Sequence, residues 1–201
     1  MSAGSDTSAA STRERVVAAT LRCLAAHGLR HTTVDDVAIE AGISRATLYR
    51  AFPGGRDTIV AAVVDAELEQ LTSTIERAVA GSDDVRGALV SAISAAAVWL
   101  TANEAIATLM FDEPAVLLTH LEFERMDRTL AIAGSRLARL LSRHLDPETA
   151  GRVGEWVTRL VVSYLLFPSD EIDLCDPAGA GILVDRHVLA ALDALHAPVA
   201  G

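Results

Sequence analysis

The chain has 201 residues, 51% of them hydrophobic and 22% charged, and its formal net charge is −10. This composition supports a buried core and excludes a disordered chain or a disulfide-stabilised scaffold. The first eleven residues lack the basic-then-apolar order of a secretory leader, and the longest strongly apolar stretch, residues 160–167, is far shorter than the roughly 20 residues of a membrane span, so we expect a soluble cytoplasmic protein.

The first predicted helix follows a small, polar segment, residues 1–11, that we expect to be a flexible tail. Ser11 and Glu14 have the spacing of a capping box, in which two side chains satisfy free N–H groups at a helix start. Apolar residues recur at helical spacing after them, and Gly28 ends the pattern. The spacing therefore predicts a helix that begins at Ser11 and stops at Gly28.

Two short helices are predicted next. Thr33 can cap the second helix, which ends at Gly42, and Ser44 can cap the third, which spans residues 45–51. Gly42 gives the backbone the freedom for a tight turn between them. Two short helices joined by a tight turn, with a basic second helix, are typical of a helix-turn-helix that binds DNA.

The third predicted helix has the composition of a recognition helix. Leu48 and Phe52 lie four residues apart and are expected to face inward. The remaining large or polar side chains can project towards a DNA groove and its flanking phosphates. They are Arg45, Thr47, Tyr49 and Arg50.

Charge is distributed unevenly along the chain. Residues 1–60 hold seven arginines and six acidic residues, a balance of +1, whereas residues 61–201 hold ten arginines and 21 acidic residues, a balance of −11. Within residues 42–56 the charged side chains are Arg45, Arg50 and Arg56. We therefore expect a polyanion to be attracted to the N-terminal end and repelled elsewhere.

Helical spacing also dominates the rest of the chain, and strand-like alternation is nearly absent. The fourth helix is predicted over about residues 57–80, and a loop over residues 168–177. Further helices are predicted over about residues 85–100, 126–141, 147–167 and 178–196. We expect an all-α fold of about nine helices. It would comprise the flexible tail 1–11, a helix-turn-helix DNA-binding domain at residues 12–56 and a larger helical domain at residues 57–201.

The stretch TTVDDVAIEAGISRATLYRAFPGGRDTI, residues 32–59, resembles the TetR family of bacterial transcriptional regulators. The family signature has a Thr-capped second helix, an AGxSxxTLYxxF core and a basic–acidic pair that opens helix four. This chain supplies Thr33, Ala41, Gly42, Ser44, Thr47, Leu48, Tyr49, Phe52, Arg56 and Asp57. The motif covers about residues 12–60, and beyond them only the helical pattern and the length agree with the family.

The resemblance implies roles for individual residues. It implies that Thr33, Thr47 and Tyr49 hold DNA phosphates and that Arg45 reads a base edge. Arg56, where the family usually has lysine, is implied to hold a phosphate at the start of helix four. The expected DNA-binding set is Thr33, Ser44, Arg45, Thr47, Tyr49, Arg50 and Arg56. The expected partner is duplex DNA with a palindromic operator.

The resemblance also implies that the larger domain binds a ligand in a mostly apolar pocket, and that a small, largely apolar effector releases the protein from DNA. The candidate pocket residues are mainly the bulky side chains of the second half, since such side chains line apolar pockets. They are Trp99, Asn103, Met110, Phe111, Phe123 and Met126. Simple core packing is the alternative for each of them.

The last two predicted helices are unusually apolar for surface elements, with more than one apolar side each. Helices that cover both their own core and a partner's have this pattern, and in the TetR family they form a two-fold dimer interface. The candidate interface residues for a homodimer are Trp156, Leu160, Tyr164, Val184, Val188, Leu192 and Leu195. Deep burial inside a monomer is the alternative.

Metal, redox and catalytic motifs are missing from the sequence. Cys23 and Cys175 are far apart, and Gly28 interrupts the helix between His27 and His31, which otherwise have a metal-ligand spacing. Nucleophile and phosphate-loop motifs are also missing. We therefore expect no metal, no cofactor and no enzyme activity. A helical enzyme with a diffuse site and a protein-interaction module with an acidic partner are the alternatives, and an activator could carry the same residues as a repressor.

Overall fold

The structure is a computed structural model that describes residues 3–108 and 123–192, with side chains described for residues 10–108 and 127–192. Within these ranges the chain forms nine α-helices and no strand, which confirms the predicted all-α fold. The helices are α1 (Ala3–His31), α2 (Val34–Glu40), α3 (Arg45–Ala51), α4 (Arg56–Val79), α5 (Val85–Ala102), α6 (Glu104–Ala107), α7 (Phe123–Leu141), α8 (Pro147–Leu166) and α9 (Pro177–Leu183). A π-helix, Val184–Leu189, follows α9 directly.

The N-terminal segment differs from the sequence-based expectation. α1 begins at Ala3, so the segment expected to be a flexible tail is helical from that residue onward. The physical reason is that each residue added to an existing helix gains a hydrogen bond, whereas only nucleation is costly, and no proline interrupts this segment. At the other end, Gly28 has φ 71° and ψ 173°, so the helical geometry is interrupted there as predicted. Residues 29–31 follow this kink and complete α1.

Contacts divide the chain into two compact units. Among the described residues, the first unit contains 3–69 and 103–108, and the second contains 70–102 and 123–192. The beginning of α4 belongs to the first unit because Ile59 and Val63 are buried in cores that they share with α1. This division by contacts lies inside α4. The functional division between residues 56 and 57 stays a prediction.

The core of the first unit holds α2 and α3 against α1. Leu48 and Phe52 of α3 are both 0% exposed, so the predicted inward face of this helix is observed. The main core comprises Val16, Ala19, Cys23, Val37, Ala38, Ala41, Leu48, Phe52 and Ile59. A second cluster, made of Leu24, Leu29, Val63 and Ala105, joins α1 and α4 to α6.

The second unit is organised by close packing between α7 and α8. The two backbones meet at Gly134 and Gly154: a Cβ atom built on Gly154 would lie 2.4 Å from the Gly134 carbonyl oxygen. A Cβ on Gly134 would lie 2.9 Å from the Cα of Glu155. Such distances are below any real carbon contact, so the crossing of α7 and α8 depends on two glycines that face each other.

α5 is a long apolar helix of the second unit. Among the described helices it alone is long and apolar enough to cross a membrane, with a mean hydropathy of 1.5 over Val85–Ala102. Core helices of water-soluble proteins pass the same test, and α5 packs against α7, α8 and α9. Its buried residues include Leu89 and Ile93, so we interpret α5 as the core helix of this unit.

Candidate DNA-binding surface

The start of α2 is fixed by the predicted N-cap residue. The Thr33 hydroxyl accepts a hydrogen bond from the backbone N–H of Asp36 at 3.2 Å, and the Asp36 carboxylate accepts one from the backbone N–H of Thr33 at 2.9 Å. This reciprocal pair is a capping box. The Thr33 side chain and backbone donate to the Asp36 carboxylate and lower its pKa, so Asp36 is held ionised. Thr33 itself remains exposed at the N-terminus of α2.

The turn between α2 and α3 has the predicted geometry. Gly42 has φ 62°, a left-handed conformation that favours glycine. The N–H of Ile43 donates to the carbonyl oxygen of Ala38 at 3.0 Å, and the Ile43 side chain packs on the core. Ser44 then caps α3 by accepting a hydrogen bond from the Thr47 N–H at 3.2 Å. These contacts fix α3 relative to α2.

The outward face of α3 carries the predicted side chains. Arg45, Tyr49 and Arg50 are exposed, and Thr47 is half-buried. The Thr47 hydroxyl lies 2.9 Å from the Ser44 hydroxyl and 3.5 Å from a terminal nitrogen of Arg50. A helix with a buried apolar face and a neighbouring face of arginine, hydroxyl and phenol groups can place hydrogen-bond donors along a DNA groove.

The loop after α3 supports Tyr49. Gly55 has φ 60°, and a Cβ atom on it would lie 3.3 Å from Cε1 of Tyr49. The tyrosine ring therefore lies close to the backbone of the loop that leads into α4. A side chain at position 55 would therefore crowd the Tyr49 ring.

Three arginines of α1 were missed by the sequence analysis. Arg13 donates to the carbonyl oxygen of Ala51, the last residue of α3, at 2.7 Å, and its guanidinium lies 4.4 Å from the centre of the Phe52 ring. Arg15 donates to the carbonyl oxygen of Ala41 at 2.6 Å, at the end of α2. Cations at helix C-termini satisfy terminal carbonyl groups and interact favourably with the helix dipole.

The third of these arginines makes an ion pair. Arg22 Nε lies 2.6 Å from the Glu40 carboxylate at the last residue of α2. Arginines at positions 13, 15 and 22 are visible in the sequence, but their partners are carbonyl or carboxylate groups distant along the chain. Only the tertiary structure brings those groups together, so the sequence carried no signal for this role.

The predicted cationic patch is partly neutralised in the structure. Arg45 Nε lies 2.7 Å from Oδ1 of Asp35 in α2. Arg56, which was expected to hold a phosphate, is half-buried and donates a hydrogen bond to the carbonyl oxygen of Leu29. Arg56 therefore connects the start of α4 to the last turn of α1. A phosphate contact by Arg56 stays a prediction, and Arg50 is an exposed cation of α3.

Asn103, one of the predicted pocket residues, is fully engaged inside the first unit. Its side-chain oxygen accepts a hydrogen bond from the N–H of Ile106 at 3.2 Å and so caps α6, while its amide nitrogen donates to Glu67 of α4 at 2.6 Å. Glu67 is only 5% exposed, and this burial raises its pKa although the Asn103 hydrogen bond lowers it. Sequence reasoning missed Glu67 because helical spacing does not reveal a buried carboxyl group.

The other predicted pocket residues are only partly described. Trp99 lies on α5 in the second unit and is half-buried. Met110 and Phe111 lie outside the described residues. Phe123 and Met126 belong to α7, but their side chains lie outside the described part of the chain. The ligand pocket therefore stays a prediction.

The predicted interface residues fall into two groups. Trp156, Leu160 and Tyr164 recur every four residues along α8, and Trp156 is 38% exposed while the other two are half-buried. Val184 and Val188 are 0% exposed within a single chain, and Leu192 is 7% exposed. The placement of Val184 and Val188 at an interface is corrected, because fully buried side chains have no surface left for a partner, whereas the placement of Leu192 stays a prediction. Leu195 lies outside the described residues.

Metal binding finds no support in the residues that the structure describes. No group of three or more histidine, cysteine, aspartate or glutamate side chains is close enough to hold an ion there. Cys23 is buried in the core of the first unit, as expected of a small apolar side chain, and burial raises the pKa of its thiol.

Residues 16–63 match the family model described as bacterial regulatory proteins of the tetR family. Among curated proteins, the chain is 32% identical over 104 residues to an HTH-type transcriptional regulator of Mycobacterium bovis. It has the same identity over the same length to one of Mycobacterium tuberculosis. Each match covers 52% of this chain and 52% of the relative, so the chain spans about half the length of the curated relatives it matches.

Solved structures share the fold over most of the chain. The TetR family repressor AlkX from Dietzia, implicated in biodegradation of n-alkanes, has a TM-score of 0.63 and 20% identity, with 86% of this chain and 92% of AlkX covered. The fatty acid degradation regulator FadR from Bacillus halodurans has a TM-score of 0.63 and 16% identity, with 88% and 96% covered. These likenesses show the fold, an N-terminal helix-turn-helix followed by a helical domain.

Proposed function

We propose that the chain is a member of the TetR family of bacterial regulatory proteins and a cytoplasmic transcriptional repressor that binds a palindromic operator as a homodimer. A small, largely apolar effector would release it from the operator. The single observation that carries this proposal is the exposed face of α3, which presents Arg45, Tyr49 and Arg50 above the buried Leu48 and Phe52.

The proposed contacts with DNA divide into two classes. Arg45 at the first turn of α3 reads a base edge, since a guanidinium can donate two hydrogen bonds to the O6 and N7 atoms of guanine. Thr33, Ser44, Thr47, Tyr49 and Arg50 hold phosphates, which fix the position of the helix but carry no sequence information. Phosphate contacts make the affinity depend on salt.

The proposed dimer uses the outer face of α8. One face of this helix is buried within the unit through Val153, Val157 and Val161, and the face with Trp156 and Leu160 keeps exposed apolar surface. A helix with a second apolar face buries it when two copies associate. The two identical DNA-binding domains of the dimer then match the two half-sites of a palindromic operator.

The proposed effector is an apolar molecule. The second half of the chain is rich in bulky apolar side chains, and the functions printed for AlkX and FadR concern n-alkanes and fatty acids. An effector can weaken DNA binding only through a difference in its affinity for the DNA-bound and released states. α4 contributes residues to both units, and we infer that effector binding displaces this helix.

The proposal is tested by sequencing genomic fragments bound by the purified protein. We expect a palindromic consensus, and Arg45→Ala to lower affinity for it by about 1–3 kcal/mol and to relax base preference at one position in each half-site. Arg143→Ala removes the same charge from an exposed position of the second unit and serves as the matched control. An unchanged consensus with Arg45→Ala would place base reading elsewhere, and no consensus for the unmodified protein would overturn the proposed function.

A further inference from the structure

Asp35 occupies an unexpected position for an acidic residue on a DNA-binding surface. It lies in the first turn of α2, and its Oδ1 atom is 2.7 Å from Nε of Arg45, the first residue of α3. The two side chains are 48% and 65% exposed. A carboxylate beside a DNA backbone repels the phosphates, so its presence next to the base-reading arginine calls for a compensating contribution.

Helix capping does not account for Asp35. The capping box at the start of α2 is formed by Thr33 and Asp36, whose carboxylate accepts from the Thr33 backbone. An acidic residue in a first turn gains a general favourable interaction with the helix dipole, but Asp36 already supplies a negative charge there. The Asp35 carboxylate instead forms an ion pair with Arg45, and its Oδ1 atom is buried from solvent and accepts no hydrogen bond within the protein.

The geometry of the ion pair decides which donors of Arg45 are available. The carboxylate lies on the Nε side of the guanidinium, which is a planar group with five N–H donors in a fixed fork. With the carboxylate on that side, the two terminal nitrogens remain to donate in parallel to an acceptor pair. Guanine presents such a pair, O6 and N7, at its major-groove edge.

We propose that Asp35 is a positioning residue that holds the guanidinium of Arg45 so that its two terminal nitrogens read a guanine. This inference rests on the proposed function. Asp35 contributes selectivity through Arg45 while it opposes the binding of DNA in general, because its charge repels every sequence equally. Its removal therefore lowers discrimination between sequences and raises affinity for nonspecific DNA.

The test compares operator DNA with a variant in which the guanine that Arg45 reads in each half-site is replaced, at one fixed salt concentration. For the unmodified protein we expect the replacement to weaken binding about 5- to 150-fold per half-site. Asp35→Asn, which keeps the shape and removes the charge, should reduce this ratio at least about threefold and tighten binding to nonspecific DNA. Asp65→Asn removes the same charge from an exposed position of α4 in the same unit and should leave the ratio unchanged.

A double-mutant cycle separates positioning from a merely structural role. If Asp35 acts through Arg45, adding Asp35→Asn to Arg45→Ala changes the ratio no further. Thermal unfolding of each variant checks that the domain stays folded. An unchanged ratio with Asp35→Asn alone, or a further loss in the double variant, overturns the inference while the proposed function stands. Absence of any guanine-dependent binding by the unmodified protein overturns the inference, and absence of any sequence preference overturns both.

Discussion

Arginine side chains have two different roles in the first unit. Those of α1, at positions 13, 15 and 22, bind the C-terminal ends of α2 and α3 and hold the helix-turn-helix together. Those of α3, Arg45 and Arg50, are exposed, although Arg45 is paired with Asp35. A count of positive charges therefore overstates the number of groups that can contact DNA, since part of the charge stabilises the protein itself.

Glu67 provides a test at the scale of one residue. Burial raises its pKa, so the folded chain binds the proton more tightly than the unfolded chain does. Its contribution to stability is then fully present below the unfolded pKa, which is about 4.3. The contribution is lost as the pH rises through the raised folded pKa.

The side chain of Glu67→Gln cannot ionise and can still accept the hydrogen bond from Asn103. We therefore expect this variant to be more stable than the unmodified chain at pH values above the folded pKa of Glu67. The difference in stability should grow as the pH rises from the unfolded pKa to the folded pKa. Chemical denaturation at a series of pH values measures this. Glu76→Gln makes the same change at an exposed position of α4 and should leave the pH dependence unaltered. Parallel pH curves for Glu67→Gln and the unmodified chain would contradict the role assigned to burial.

At the scale of elements, α7 and α8 approach each other closely. Their backbones meet where Gly134 faces Gly154, and Ala138 also lies beside Gly154. Glycine lowers the intrinsic stability of a helix by about 0.5–1 kcal/mol relative to alanine, so its use here is compensated by the packing that it allows. The same helix α8 carries a second glycine, Gly151, where a Cβ atom would have no neighbour within 4 Å.

The two glycines of α8 form a matched pair for mutagenesis. Gly154→Ala places a methyl group against the Gly134 carbonyl oxygen, which separates the helices, and we expect a loss of about 1–3 kcal/mol in the free energy of unfolding. Gly151→Ala places a methyl group in open space and should gain about 0.5–1 kcal/mol through helix propensity. Denaturant unfolding of both variants measures the difference, and equal effects would show that the crossing tolerates separation.

At the scale of the whole molecule, α8 has one apolar face inside its unit and another at the surface. Val157 is 1% exposed, whereas Trp156 is 38% exposed. Ile132 of α7 is equally exposed at 38% and provides a comparison at the same degree of burial. Because Val188 is fully buried, a charge there would unfold the unit and would report nothing on assembly.

We expect the unmodified chain to sediment as a dimer at micromolar concentration, and Trp156→Asp to sediment as a folded monomer, because an unpaired charge at the interface costs several kcal/mol. Ile132→Asp, which adds the same charge to a different surface, should stay dimeric. Circular dichroism establishes that both variants are folded. A monomeric unmodified chain, or a dimeric Trp156→Asp, would refute the assignment of the α8 surface.

Effector release is the second prediction at this scale. A coupling free energy of about 3 kcal/mol between effector and operator gives roughly 150-fold weaker DNA binding, and by reciprocity the operator weakens effector binding by the same factor. Calorimetric titration of an alkane or acyl compound selected by screening, with and without operator, measures both. Trp99→Ala should weaken effector binding in both titrations. Equal effector affinity with and without DNA would rule out the release mechanism. Unchanged effector affinity of Trp99→Ala would show that the effector binds at a site that does not include Trp99.

The sequence by itself determined the all-α fold, the caps Thr33 and Ser44, the turn at Gly42 and the two faces of α3. These features are encoded locally: capping needs only a few neighbouring residues, and helical spacing sets which side of a short helix is apolar. The bounds of α3, residues 45–51, followed for the same reason. The start of α1 differed because helix propagation beyond a cap depends on no strong local signal.

Only the tertiary structure decided which of two apolar faces is covered and which charges are already paired. Val184 and Val188 lie four residues apart, as do Trp156 and Leu160, so the spacing alone does not show which pair is buried. The burial of Val184 and Val188 depends on neighbouring helices, which the local sequence does not specify. The pairing of Arg45 with Asp35, and of Glu67 with Asn103, likewise joins residues on different helices. Helical periodicity fixes directions around a single axis, whereas contacts between side chains require the relative placement of two axes, which is a property of the packed fold.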